Sequence, residues 1–149
     1  VSKKAGLLVL ILDGIKPILA LVITSYFFNE HYQNYKFLYF FISIVGHIFP
    51  IWLMFKGGKG VACFFGGFLI ISPIPTLISM AVWMVTVKIT KISSLGALLS
   101  IFLLTSYQIV SNYGTLNKGT IFAIMLIIFW KHSDNIKRLI QGKENKINL

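Results

Sequence analysis

An all-α, polytopic membrane helix bundle is the fold class this sequence predicts, and three observations predict it. The chain has 149 residues, 56% of them hydrophobic, with a mean hydropathy of +0.82. That exceeds the roughly half-apolar composition of soluble domains. Several apolar stretches are long enough to cross a ~30 Å hydrocarbon core as helices. The charges are few and cationic: 14 Lys and Arg against 4 Asp and Glu, a formal net charge of +10. In a soluble chain this excess would suggest nucleic acid. Between membrane helices it suggests topology-setting loops or a site for phosphate-bearing substrates, and no nucleic-acid partner is expected. Cys63 is the only cysteine, which excludes an internal disulfide. With three well-separated histidines, no metal cluster is expected.

The predicted spans are 5–28, 37–55, 61–72, 75–90, 95–111 and 119–131. The first carries Asp13, Lys16 and Pro17 and is followed by no small-residue cleavage site, so it reads as a membrane helix rather than a signal peptide. The stretch 61–90 could be one long helix, but Pro73 and Pro75 remove two backbone donors and bias their predecessors away from α geometry. A tight turn at 71–75 and two short spans are expected. Twelve residues reach only ~18 Å, so 61–72 must end in a protein-lined or thinned region. With six spans, eleven cations (Lys3, Lys4, Lys56, Lys59, Lys88, Lys91, Lys131, Lys137, Arg138, Lys143, Lys146) share one side, against Lys36 and Lys118 on the other. With 61–90 as a single span the division is five against eight. The positive-inside rule therefore selects six spans with both ends cytoplasmic. The polar tail is predicted to start as a short amphipathic helix with Ile136, Leu139 and Ile140 on one face.

Three groups of residues carry candidate chemistry. In "GHIFPIWLMFKGGKGVA", Gly46–Ala62, the run Lys56-Gly57-Gly58-Lys59-Gly60 falls at a water boundary between apolar stretches. Glycines let backbone N–H groups approach an anion, and Gly60 precedes an apolar helix whose N-terminus attracts one. This is a phosphate cradle or a flexible basic loop. It is not the nucleotide P-loop, because Val61 follows Gly60 where that motif needs Ser or Thr. In "KHSDNIKRLIQGKE", Lys131–Glu144, His132 and Asn135 share a helical face, as do Asn135 and Arg138. Histidine can move a proton near neutral pH, and arginine can grip phosphate bidentately. The alternative is an interfacial helix with snorkelling cations. Asp13 and Lys16 lie i,i+3 in the first span, Asp13 roughly 13 Å beyond Lys4. Facing lipid, each would cost about 2.5–3.5 kcal/mol, so they are expected to pair or to face other helices. His47, near the inner end of its span, reads equally as a packing residue or a site residue.

These residues together resemble a family, the bacterial acyl-phosphate:glycerol-3-phosphate acyltransferases (PlsY family), over nearly the whole chain. "KKAGLLVLILDGIKP" is similar to its K-x-A-G-x-x-x-x-x-x-D-x-x-K-G segment. "GHIFPIWLMFKGGKGVA" is similar to its second motif. "KISSLGA" resembles R-Y-x-S-L, with Ser94 as the serine. "HSDNIKRLIQGKE" resembles H-R-x-N-I-x-R-L-x-x-G-x-E. Pro17 stands in place of glycine, Ile92 of tyrosine and Ser133 of arginine. The family's first motif, G-S-x-N-x-G-A-T-N-x-x-R, and its first helix would precede Lys3 and are not in this sequence. The chain also begins at Val1 rather than Met. Residues 1–149 are accordingly expected to be one integral membrane acyltransferase domain, N-terminally truncated, with six of the family's seven spans.

The resemblance implies transfer of a fatty acyl group from acyl phosphate to the 1-hydroxyl of glycerol 3-phosphate, giving lysophosphatidic acid and phosphate in phospholipid synthesis. It implies Lys59, His132 and Asn135 as catalytic residues. Lys56, Gly57, Gly58, Gly60, His47, Ser94, Arg138 and Glu144 are implied to bind substrate or phosphate. Either His132 or a substrate phosphate oxygen takes the proton. Acyl phosphate is already an activated mixed anhydride, so no cofactor, coenzyme A or metal is needed. The expected setting is the bacterial inner (plasma) membrane, with a lipid-embedded monomer and a cytoplasmic active site. Two other readings stay open: a small transporter or channel subunit with Asp13 and Lys16 on its pathway, or an inactive truncated remnant.

Overall fold

The computed structural model of the chain describes residues 3–111 and 114–147. Among the described residues seven α-helices follow one another: α1 (Lys3–Phe27), α2 (Asn29–Ile48), α3 (Val61–Ile71), α4 (Pro73–Thr90), α5 (Ser93–Val110), α6 (Thr115–Lys131) and the short α7 (Ser133–Ile140). Four stretches of the described residues, Lys4–Phe27, Asn29–Leu53, Pro73–Thr90 and Ser93–Val110, are long and apolar enough to cross a membrane. Their outward faces are apolar, with Leu7, Leu8, Ile78, Val85 and Phe102 exposed, as contact with lipid requires. α3 has 11 residues, a rise of only ~16 Å.

The break in 61–90 is present but narrower than expected. Only Ser72 leaves the helical path, and Pro73 and Pro75 lie in the first turn of α4. Proline is tolerated there because first-turn N–H groups have no intrahelical acceptor. α2 is shifted from the expected 37–55. Its polar first turns start at Asn29, and it stops at Ile48, two residues before Pro50. Residues Ile51–Leu53 form a 3-10 turn instead. The tail does start as a helix, α7, with Ile136 and Leu139 half-buried and Ile140 exposed.

Between helices in lipid, close packing and polar contacts replace the hydrophobic drive. α2 turns Phe37, Phe40, Ile44 and Ile48 inward at helical spacing, against Phe64 and Phe68 of α3 and Ile121, Ile124 and Ile128 of α6. The Phe40 and Phe68 rings meet edge to face, centroids 5.1 Å apart. α1 crosses α3 at Gly14 and Gly66, where a Cβ on Gly66 would overlap the Gly14 carbonyl. α4 and α5 are joined by the Ser79 hydroxyl, which donates to the Ser100 carbonyl at 2.6 Å.

Pro17 sits inside α1. Its missing N–H frees the carbonyl four residues back, which is that of Asp13, and the Cys63 thiol of α3 donates to it at 3.1 Å. The Asp13 carboxylate takes the Lys16 ammonium at 2.6 Å and lies 3.5 Å from Nδ1 of His47. The expected pairing is therefore present, but only Asp13 faces other helices. The Lys16 side chain is 54% exposed, because at i+3 it points off the face that α2 and α3 cover.

Candidate active site

The glycine-lysine run leaves the end of α2 and enters α3. Gly57 donates to the Ile48 carbonyl at 3.2 Å, so the loop folds back on the helix it has just left. A Cβ at Gly57 would strike the His47 and Ile48 carbonyls, and one at Gly58 the His47 ring. Gly60, with φ +85°, adopts the left-handed conformation that caps α3. This path carries Lys59 across to α7, where its ammonium donates to Oδ1 of Asn135 at 2.5 Å.

α7 begins directly after α6, so His132 stands at the junction, buried to 2% exposure. Its Nδ1 lies 2.8 Å from the Ile128 carbonyl. A carbonyl can only accept, so Nδ1 carries the hydrogen of the neutral ring and Nε2 keeps its lone pair. Burial holds the His132 pKa below its ordinary value. The Ile128 hydrogen bond and Glu144 oppose this shift, and Lys59 reinforces it.

Glu144 gathers the remaining side chains. Oε1 accepts from Ser94 at 2.9 Å and from Asn135 at 2.6 Å; Oε2 accepts from Nε of Arg138 at 2.7 Å. Gly142, with φ +67°, turns the chain back after α7 so that the carboxylate can reach them. Beyond it, the Ile147 N–H donates to the Lys91 carbonyl at 2.8 Å, tying the tail to the α4–α5 turn. Burial alone would raise the Glu144 carboxyl. Hydrogen bonds from Arg138, Asn135 and Ser94, with the Arg138 charge, outweigh burial and bring it down to about 2.

A carboxyl depressed in the folded state contributes stability above its unfolded pKa and loses it as pH falls toward the folded one. The window here runs from 4.5 down to about 2. The thermal midpoint in detergent should thus hold steady to ~pH 5 and fall below it. Glu144→Gln should lower the midpoint at pH 7 and flatten the acid slope. A midpoint at pH 7 equal to that of the parent chain would remove Glu144 as the organiser of this corner.

The polar corner opens into a cavity of about 640 Å³. One end is lined by Lys59, Ser94, His132, Asn135 and Glu144, and the rest by apolar side chains of α1, α3 and α4, among them Ile15, Phe65, Leu69, Met80 and Trp83. Five expected site residues therefore meet around one space. The others stand differently. Arg138 reaches the corner only through Glu144. His47, Gly58 and Gly60 line a second, smaller space, which Lys59 also borders. Lys56 is exposed and, like Gly57, lines neither space. Sequence reasoning missed Trp83, Met80, Ser93, Asn145 and Ile147 as lining residues. Nothing in their local sequence signals it: the wall of Met80, Trp83 and Ile147 uses the same residues as a lipid-facing surface, and Ser93 and Asn145 read as ordinary turn and tail residues.

A multi-pass helical membrane protein whose cavity joins a hydrogen-bonding end with a lysine to an apolar body belongs to the class that handles anionic amphiphiles. The family model described as glycerol-3-phosphate acyltransferase matches residues 1–142. A glycerol-3-phosphate acyltransferase of Ehrlichia chaffeensis is 34% identical over 149 residues, 99% of this chain and 74% of that protein. One of Ruthia magnifica is 40% identical over 148 residues, again 99% and 74%. The crystal structure of PlsY (YgiH), an integral membrane glycerol 3-phosphate acyltransferase, in its glycerol 3-phosphate form superposes with a TM-score of 0.86. The identity is 28%, covering 98% of this chain and 72% of that one. The lysophosphatidic acid form gives 0.85 at the same identity, covering 98% and 74%. The chain belongs to the glycerol-3-phosphate acyltransferase family, integral membrane acyltransferases of phospholipid synthesis.

Proposed function

We propose that this chain transfers a fatty acyl group from acyl phosphate to the 1-hydroxyl of glycerol 3-phosphate, releasing lysophosphatidic acid and inorganic phosphate. The observation that carries the reading is the cavity itself: Lys59, Asn135, His132, Ser94 and Glu144 close one end of an otherwise apolar chamber. Two phosphate-bearing substrates fit the cationic end, and an alkyl chain fits the body. The chain crosses the bacterial inner membrane six times, with this end on the cytoplasmic side, where the eleven cations fall. In this reading the protein acts as a monomer.

In this reading the substrate hydroxyl donates to Nε2 of His132. Asn135, fixed by Lys59 and Glu144, orients the glycerol phosphate. The hydroxyl oxygen attacks the acyl carbonyl carbon, and a tetrahedral oxyanion forms beside the Lys59 ammonium. Stabilising such an oxyanion is usually the largest contribution to catalysis. The bond from the acyl carbon to the phosphate oxygen then breaks. The His132 imidazolium is disfavoured by burial and by Lys59, and Nδ1 faces a carbonyl rather than a carboxylate. The hydroxyl hydrogen therefore turns from Nε2 to an oxygen of the departing phosphate as the new C–O bond forms, that oxygen takes the proton, and His132 serves only to hold the hydroxyl in place before attack. Arg138 and Glu144 order the corner. Against the transporter reading, Asp13 and Lys16 pair with each other and neither lines the larger cavity.

The test is phosphate release from palmitoyl phosphate by the purified protein in detergent. Release should depend on glycerol 3-phosphate and match lysophosphatidic acid formed, one for one. Acylation from palmitoyl-coenzyme A but not from palmitoyl phosphate would overturn the assigned donor. Substrate flux across vesicles without acyl transfer would restore the transporter.

A further inference from the structure

The mechanism above leaves a half-buried ionisable pair unused, Asp13 of α1 and His47 of α2. We propose that Asp13 and His47 are positioning residues that hold the Gly57–Gly58 backbone and so set the reach of Lys59. The inference rests on the role given to Lys59 above and explains what aims that lysine.

The geometry has three parts. The His47 side chain is 9% exposed and that of Asp13 19%, with Nδ1 and Oδ1 3.5 Å apart. This places a carboxylate against one edge of the ring and favours the hydrogen on Nδ1. The other edge of the ring abuts the loop: a Cβ at Gly58 would come within 2.4 Å of Nε2 and 3.0 Å of the neighbouring ring carbon. The His47 and Ile48 carbonyls form the seat for Gly57, within 2.1 and 2.6 Å of where its Cβ would be. His47 is thus wedged between α1 and the loop. Lys59 is the residue after Gly58, and a four-carbon stem with free rotors is aimed chiefly by where its backbone is held.

Asp13 is itself fixed on the α3 side. Its backbone carbonyl, left without a helical donor by Pro17, takes the Cys63 thiol. α1, the end of α2 and the start of α3 are therefore tied around one point beneath the loop. The loop is held from below by His47 and from above by the bond from Lys59 to Asn135. Removing the lower support lets the glycine backbone sample other paths, and a displacement of ~1 Å at a catalytic group can cost ~10²-fold.

Asp13→Ala and His47→Ala should each lower kcat/KM for acyl transfer by ~10-fold or more. In a Lys59→Ala background each should cost less than ~3-fold, because residues acting through one group are non-additive. Asp13→Asn keeps an oxygen facing His47 and should recover most of the activity. Lys16→Met removes only the half-exposed partner and should stay near the parent rate. Independently of turnover, hydrogen exchange in the segment 55–62 should quicken in Asp13→Ala and His47→Ala but not in Lys16→Met, with folding checked by elution profile in detergent. Losses that multiply on the Lys59→Ala background, or unchanged exchange in 55–62, overturn the positioning role while leaving the site intact. Near-normal turnover by Lys59→Ala itself overturns the role of the lysine and this inference with it.

Discussion

Lys59→Ala is expected to reduce glycerol 3-phosphate-dependent acyl transfer by ~10²–10³-fold, the usual loss for one preorganised oxyanion or phosphate contact. The magnitude follows from where the ammonium stands. It is the cation that lines the cavity at its polar end, and it is held by the Gly60 turn and by Asn135 at 2.5 Å. Lys59→Arg should recover only part of the loss, since a planar fork does not replace a compact ammonium. Lys118→Ala, at the opposite end of α6 from His132, should change little. The measurement is phosphate release from palmitoyl phosphate, with folding confirmed by the elution profile in detergent. Well-folded Lys59→Ala turning over at near-normal rate would sink the lysine's role, and equal losses for Lys59→Ala and Lys118→Ala would indicate general damage.

The second large effect is expected at His132. His132→Ala removes the acceptor aimed at the substrate hydroxyl and should cost ~10² or more, the loss that follows when a reacting group is misplaced by ~1 Å. His132→Gln separates positioning from base catalysis. The glutamine oxygen can occupy the place of Nε2 and accept the same hydrogen bond, yet it cannot take a proton at neutral pH. A positioning His132 predicts that Gln restores at least ~10-fold over Ala. Equal loss in Gln and Ala would make His132 the base, since either role gives an acidic limb in the pH–rate profile. Any such limb in the parent enzyme should lie below pH 6.5, because burial and Lys59 both disfavour the imidazolium. The sign follows directly: protonation removes the acceptor, so activity falls as pH drops through the lowered pKa.

Much of the architecture was legible because lipid is a severe solvent. Long apolar runs must be helices there, and lysines favour the boundaries, so the helical class and the approximate places of most helices follow from the hydropathy pattern. The glycine-lysine loop was visible for the same reason, as a run that lipid would reject. Helix ends were less legible. Two prolines look like a turn, and only the register of α4 puts both in its first turn. The end of α2 at Ile48 was hidden because Ile51–Phe55 is as apolar as the helix before it.

By itself the sequence determined a helical membrane protein and singled out the polar residues that are candidates for its site. Tertiary structure decided which of those residues share a space. α1 is apolar on nearly every face, so no periodicity tells which side meets protein and which meets lipid. Only packing through Gly14 and Gly66 turns Asp13 toward His47 and leaves Lys16 outward. Lys59 and Asn135 are 76 residues apart, and nothing local to either names the other. Glu144 reads locally as one more charge in a polar tail. It becomes the acceptor that orders Ser94, Asn135 and Arg138 only because Gly142 reverses the chain and the tail is tied to Lys91. Hydropathy records the preference of each residue for lipid or water, whereas a site depends on distances between side chains, and those are set by how the helices cross.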